Sequence, residues 1–236
     1  MTQRQVVLDT ETTGLETRDG HRIIEIGAIE IVGRRITERR FHQYVNPERD
    51  CDDGALAVHG INNQFLEDKP KFGEIADDLI EFVKDADVII HNSAFDIEFL
   101  DAELTRIGRG RFTDYCVKVT DSLQQAREQH PGKRNSLDAL CERYAVSNAH
   151  RTLHGALLDA GLLADVFLAM TRGQDSLTID VLDDDSLIAN FGPVDVSQLL
   201  AVVVAAEELA AHEALLDTIQ REAKITPVWR LGACSP

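Results

Sequence analysis

Ile23-Ile24-Glu25-Ile26-Gly27-Ala28-Ile29-Glu30-Ile31 is the stretch from which the fold is read. It is rich in β-branched residues, and its apolar and polar side chains partly alternate, as in a strand. Gly33-Arg34 marks a tight turn behind it, and Ile36 to Val45 returns as a further strand. Upstream, Val6-Val7-Leu8 starts a short buried strand. Three consecutive strands of this kind predict an antiparallel meander. Beyond it the period changes. Phe72, Ile75, Ala76, Leu79, Ile80 and Val83 recur at the spacing of one helix face. Val88-Ile89-Ile90 reads as a buried strand, Phe95–Leu104 as a helix, and Leu137–Tyr144 and Leu157–Met170 as two more. Strands first, then strand and helix in alternation, predict an α/β domain over residues 1–172 with a mixed sheet.

The whole chain of 236 residues is 44% apolar, enough for a sizeable core, which excludes wholesale disorder. Its longest apolar run, Leu199 to Ala206, is too short for a transmembrane helix. The start, Met1-Thr2-Gln3-Arg4-Gln5, has no signal-peptide pattern. Cys51, Cys116, Cys141 and Cys234 show no CxxC spacing, so neither a disulfide framework nor a zinc knuckle is indicated. A cytoplasmic protein with no membrane partner is expected. The formal net charge of −17 is a poor footprint for an independent nucleic-acid binder, so a nucleic-acid substrate would have to be delivered by another subunit. Clustered carboxylates holding cations are the other use for such a balance.

Four acids stand in suggestive places. Asp9 and Glu11 follow the first strand at i and i+2, which puts both on one face. Like charges side by side repel, and burial adds a desolvation cost that a divalent cation between them relieves. A pair at a strand end facing water is the alternative. On a helical wheel, Asp159 falls at about 100° from Leu158, inside the stripe made by Leu158, Leu162, Leu163, Val166, Phe167 and Met170. An acid there calls for a counter-charge or a metal. His154 precedes it by five residues, at or just before the helix start. Ser93-Ala94-Phe95-Asp96 matches the S-x-x-[DE] capping pattern, which alone makes Asp96 structural. Its position right behind the strand Val88–Ile90 is where α/β sites gather.

DTETTG at Asp9–Gly14, HNSAFD at His91–Asp96 and HGALLD at His154–Asp159 are similar, in order and spacing, to the three exonuclease motifs of the DEDDh (DnaQ-like) superfamily. VHGI at Val58–Ile61, KVTDSL at Lys118–Leu123 and PGKRNSLDALC at Pro131–Cys141 extend the likeness over residues 5–172. Within the superfamily the chain resembles the epsilon-type proofreading exonucleases of bacterial DNA polymerase III. The resemblance implies a ribonuclease-H-like fold and removal of nucleotides from a DNA 3′ end as 5′-monophosphates. It implies that Asp9, Glu11, Asp96 and Asp159 hold two Mg²⁺ or Mn²⁺ ions, a hard oxygen-rich set suited to them. His154 would be the general base, because an imidazole accepts a proton near neutral pH. It also implies that Thr10, Thr12, His59 and Asn92 approach the terminal nucleotide together with Asp9, Glu11 and Asp159; turn hydrogen bonds are the alternative role for the first group. Gly54 stands where close relatives carry a Glu, so one substrate contact is missing and handling of the terminal sugar is expected to differ. Arg106, Arg109, Arg111, Lys133 and Arg134 are candidates for backbone phosphates, with ordinary surface charge as the simpler reading.

The composition shifts near Gly173: residues 173–236 carry eleven acidic and three basic side chains. Residues 173–186, with Asp183-Asp184-Asp185, read as an acidic linker. Residues 187–236 read as a partly flexible C-terminal tail with a helix from Glu207 to Lys224 and no core of its own. By resemblance, Gln174, Leu177 and Ile179 form a weak peptide for a sliding clamp, and the tail anchors the polymerase catalytic subunit. The same resemblance leaves room for a small accessory subunit. Two rivals are a DEDDh exoribonuclease and a catalytically inactive scaffold linking polymerase and clamp. A calcium module is disfavoured, for the D-x-[DN]-x-[DN]-G loop pattern is missing.

Overall fold

A computed structural model describes residues 4–148, 153–172 and 205–230. The chain divides into two compact units, residues 1–179 and 180–236. The first is built on β1 (Arg4–Thr12), β2 (Ile23–Val32), β3 (Arg35–Tyr44), β4 (Asp87–Ile90) and β5 (Lys118–Asp121). Their order in the sheet is β3-β2-β1-β4-β5. The predicted meander is present: β1 pairs antiparallel with β2, and β2 with β3. β1 then pairs parallel with β4, and β4 with β5, so the sheet is mixed as expected. The β2–β3 turn is set by Gly33 and Arg34, both left-handed with φ of 56° and 62°, the twist that suits a two-residue hairpin.

Helices α1 (Asp53–His59), α2 (Asn63–Leu66), α3 (Phe72–Val83), α4 (Ser93–Arg106), α5 (Ser122–Gln129), α6 (Leu137–Tyr144) and α7 (Ala156–Met170) complete the unit. Strand alternation splits the core in two. Val6, Leu8, Ile26, Ala28, Val88 and Ile90 belong to one cluster with the apolar face of α3 and with Phe99, Leu100 and Leu104 of α4. Val7, Ile29, Ile31 and Ile89 belong to the other, with Leu140 of α6 and Leu162, Leu163 and Val166 of α7. Asp9 and Glu11 therefore have the parity of Val7 and face α7, while Thr10 and Thr12 have the parity of Leu8 and face α4.

Gly27 matters because of what lies over it. A Cβ there would sit 2.2 Å from the backbone nitrogen of Leu157 and 2.3 Å from the carbonyl carbon of Ala156. No side chain fits, so the first turn of α7 rests directly on β2. The second unit contains α8 (Ala206–Ala223), close to the predicted span; Leu216 is buried, while Leu209, Leu215 and Trp229 are exposed. The candidate clamp residues Gln174, Leu177 and Ile179, the run Asp183–Asp185 and most of Leu199–Ala206 lie outside the described residues.

Candidate active site

The sheet ends β1, β4 and β5 open on the same side, and the chemistry-bearing residues gather there. A cleft of about 730 Å³ is lined by Asp9, Thr10, Glu11, Asn92, Asp96, His154 and Asp159. Three elements deliver the acids: β1 carries Asp9 and Glu11, α4 carries Asp96 in its first turn, and α7 carries Asp159 in its first turn. Glu11, His154 and Asp159 each offer a ligand atom within 4.8 Å of the others. His154 Nδ1 lies 3.2 Å from Asp159 Oδ2. Carboxylate oxygens at this spacing fit a hard divalent cation, with the imidazole close beside them.

Asp159 is 4% exposed and Asp96 3%, so the wheel argument for Asp159 describes a truly buried acid. Asp96 accepts a hydrogen bond from Thr10 Oγ1 at 2.8 Å. Desolvation dominates over that bond and pushes the Asp96 carboxyl up to about 7. The capping reading of Ser93 and Asp96 is corrected here. The N-cap of α4 is Asn92, in the left-handed region at φ 69°. The amides of Asn92 and Ser93 are satisfied by the Asp121 carboxylate at 3.2 Å each, which also accepts from Leu123 and Gln124 of α5. One acid at the end of β5 thus fixes two helix starts, and Asp96 is released to face the cleft.

A consequence for stability has a definite sign. The folded state binds the Asp96 proton more tightly than the unfolded chain, so ionising Asp96 costs native stability. In EDTA the loss begins as pH rises through the ordinary carboxylate range and is complete above about 7. Asp96→Asn removes that cost. In EDTA the variant is expected to melt several degrees above wild type at pH 8, with the gap closing toward pH 4, while being inactive as a nuclease. Thermal melts across that range check it; a variant less stable than wild type at pH 8 would contradict it.

A second cavity of about 600 Å³ adjoins through Thr10, Glu11 and Phe95, and it also contains Thr12, Leu15, His21, Gly54, Val58 and His59. His59 is buried, and its Nδ1 accepts from the Ile61 amide at 3.0 Å. The proton is thereby placed on Nε2, which has no hydrogen-bond partner among the described residues. Burial holds the ring's pKa below its ordinary value, so it stays a neutral donor. Thr12 Oγ1 donates to the Gly14 carbonyl at 2.6 Å. Nothing lies within 4 Å of where a Gly54 Cβ would be, which leaves that wall open. His154 is joined to this cavity through its backbone, its amide donating to the Val58 carbonyl at 3.1 Å.

The structure adds residues that sequence reasoning passed over. Arg127 lines the first cleft beside Lys133, giving its acidic centre a basic margin. Of the other cations considered, Arg109 is engaged by Asp77 at 2.5 Å. His91 also lines the cleft; its Nδ1 meets Ser122 Oγ at 2.9 Å, and burial lowers its pKa. Its signal was the His-Asn pair directly behind a buried strand.

Comparison with known proteins agrees with this geometry. The exonuclease family RNase_T matches residues 6–167. The DNA polymerase III epsilon subunit of Escherichia coli is 48% identical, over 93% of this chain and 94% of that protein. Those of Rickettsia prowazekii and Pasteurella multocida are 46% and 44% identical, over 92% and 96% of this chain and 96% and 93% of theirs. Exonuclease X in complex with 5′ overhanging duplex DNA has a TM-score of 0.57 at 22% identity, over 72% of this chain and 93% of that one. The nuclease domain of 3'hExo, a DEDDh family member bound to rAMP, has a TM-score of 0.63 at 19% identity, over 73% and 93%; these two speak to the fold. The chain belongs to the DNA polymerase III epsilon subunits and is a metal-dependent 3′→5′ exonuclease of the proofreading type.

Proposed function

We propose that the cleft hydrolyses the last phosphodiester bond of a DNA 3′ end delivered by a replicative polymerase, with two Mg²⁺ or Mn²⁺ ions held by Asp9, Glu11, Asp96 and Asp159. The observation that carries this is the convergence of the four acids and His154 on one cleft from three separate elements. When bound, such ions supply the positive charge that steadies the attacking and leaving oxygens of phosphoryl transfer. The chain's own groups do the rest. The Asp159 contact places the imidazole proton on Nδ1, and Nε2 of His154 takes the proton of the attacking water. His59 Nε2–H donates to the terminal nucleotide in the second cavity, where Thr10 and Thr12 flank it, and Asn92 approaches from the first cleft. Arg127 and Lys133 meet the phosphates behind the scissile bond. Comparable rates on matched DNA and RNA oligomers would favour an exoribonuclease instead.

Residues 1–172 are the exonuclease domain in this reading, 173–186 a linker whose Gln174, Leu177 and Ile179 bind a sliding clamp, and 187–236 the anchor for the polymerase catalytic subunit. The exposed Leu209, Leu215 and Trp229 of the second unit support an anchoring role, since apolar side chains of this size on a surface favour a protein partner. A small accessory subunit on the exonuclease domain is compatible with it. No helix among the described residues is long and apolar enough to cross a membrane, and the replisome in the cytosol is the proposed location. Deleting residues 173–236 is expected to leave digestion of single strands intact and to abolish co-purification with the polymerase subunit. Retained co-purification would refute the anchor.

A further inference from the structure

We infer that Glu25, held by His42, is a positioning residue that seats the His154 segment over the sheet. The inference rests on the general-base reading of His154 given above.

Strand register lays out two rows beneath the start of α7. Glu11 of β1 stands opposite Glu25 of β2, which stands opposite Tyr44 of β3. One row over, Asp9 faces Gly27, and Gly27 faces His42. All six side-chain positions share the face that α7 covers. The second row provides clearance at Gly27. The first provides an acceptor. Helix α7 has Gly155 as its N-cap and no side-chain cap of its own, so its first amides need a partner from elsewhere. Glu25 Oε2 accepts from the buried Ala156 amide at 3.1 Å. Its other oxygen, Oε1, meets His42 Nε2 at 2.7 Å, which fixes the carboxylate's rotation.

Glu25 is 3% exposed and directly opposite another carboxylate, an arrangement that costs stability unless each acid has its own use. Glu11 faces the cleft, and Glu25 caps the helix. Ala156 is two residues from His154 and three from Asp159. The same short segment is tied on its other side by the His154 amide to the Val58 carbonyl. Losing the Glu25 acceptor leaves the Val58 tether and a buried amide without a partner, so the segment tilts away from β1. Misplacing a catalytic group by about 1 Å costs about a hundredfold in rate, and outer supports of a metal site are worth about 10- to 100-fold.

The test compares Glu25→Met, which keeps the length and removes the acceptor, with Glu25→Gln, which keeps an acceptor oxygen. Each is made alone and combined with His154→Ala, and kcat and KM are measured on single-stranded DNA in Mg²⁺ and in Mn²⁺. Glu25→Met is expected to lower kcat about 10- to 100-fold with KM nearly unchanged, while Glu25→Gln retains most of the wild-type rate. In the His154→Ala background Glu25→Met should cost nothing further, because its effect runs through that histidine. Losses that multiply, or a Gln variant as poor as the Met variant, would overturn the inference and leave the general base standing. A fully active His154→Ala protein would overturn the general-base reading itself, and the inference with it.

Discussion

A primer-template with a mismatched 3′ terminus should lose its last nucleotide faster than a matched one in Mg²⁺, and Asp9→Ala/Glu11→Ala should lose neither. The expected fall in kcat exceeds about 10³-fold, for removing even one preorganised stabilising group from a site of this kind costs about 10²–10³. The reason lies in β1. Asp9 and Glu11 share the face turned to α7, and Glu11 reaches within 4.8 Å of ligand atoms on His154 and Asp159. Truncating both removes two of the five carboxylates that line the cleft, Asp9, Glu11, Asp96, Asp138 and Asp159. EDTA on the wild-type protein should reproduce the loss and addition of Mg²⁺ reverse it, while the double variant stays inactive in either ion. A folded wild-type protein that digests neither end, in Mg²⁺ or Mn²⁺, would point to the scaffold reading and make the tail's partners the next question.

His154→Ala is expected to lower kcat by about 10²–10⁴-fold, the span a positioned general base supplies. KM should change little, because this side chain is exposed at the rim of the cleft. Raised Mn²⁺ separates a base from a ligand: a variant lacking the base stays slow in either ion, whereas one that regains full rate would mark His154 as a metal ligand alone. Rates in Mg²⁺ and in graded Mn²⁺ under saturating DNA check it.

The fold was legible wherever hydrophobic period was strong. Ile23–Val32 and the face of α3 could be read because nearly every apolar side chain there is buried. β5 was not read as a strand: Lys118-Val119-Thr120-Asp121 holds one apolar residue, and its pairing with β4 comes from a parallel neighbour far away in sequence. Short α1, Asp53–His59, contains Gly54 and buries only His59, too little to show a period. Among site residues, Asp159 announced itself as an acid inside an apolar stripe. Asp96 did not, since a first-turn acid after a serine looks like a cap until Asp121 is seen to do that work. Glu25 was plainly visible as an acid within the most apolar strand, yet its partner, Ala156, lies 131 positions along the chain. Only strand register and helix placement join them.

The Gly33-Arg34 turn governs more than a hairpin. Arg34 reaches the other end of α7, donating to the Leu168 carbonyl at 2.9 Å and to Thr171 Oγ1 at 3.1 Å. A single hairpin therefore grips the catalytic helix at both tips, Glu25 at the first and Arg34 at the last. Because side chains alternate faces, a residue inserted between Gly27 and Gly33 has two outcomes: it is taken up in the register irregularity already present between Ile29 and Ile31, or it turns Glu25 and Gly27 into the opposite core and raises Ile26 under the helix. The length of this hairpin is in that sense a ruler for the helix laid across it.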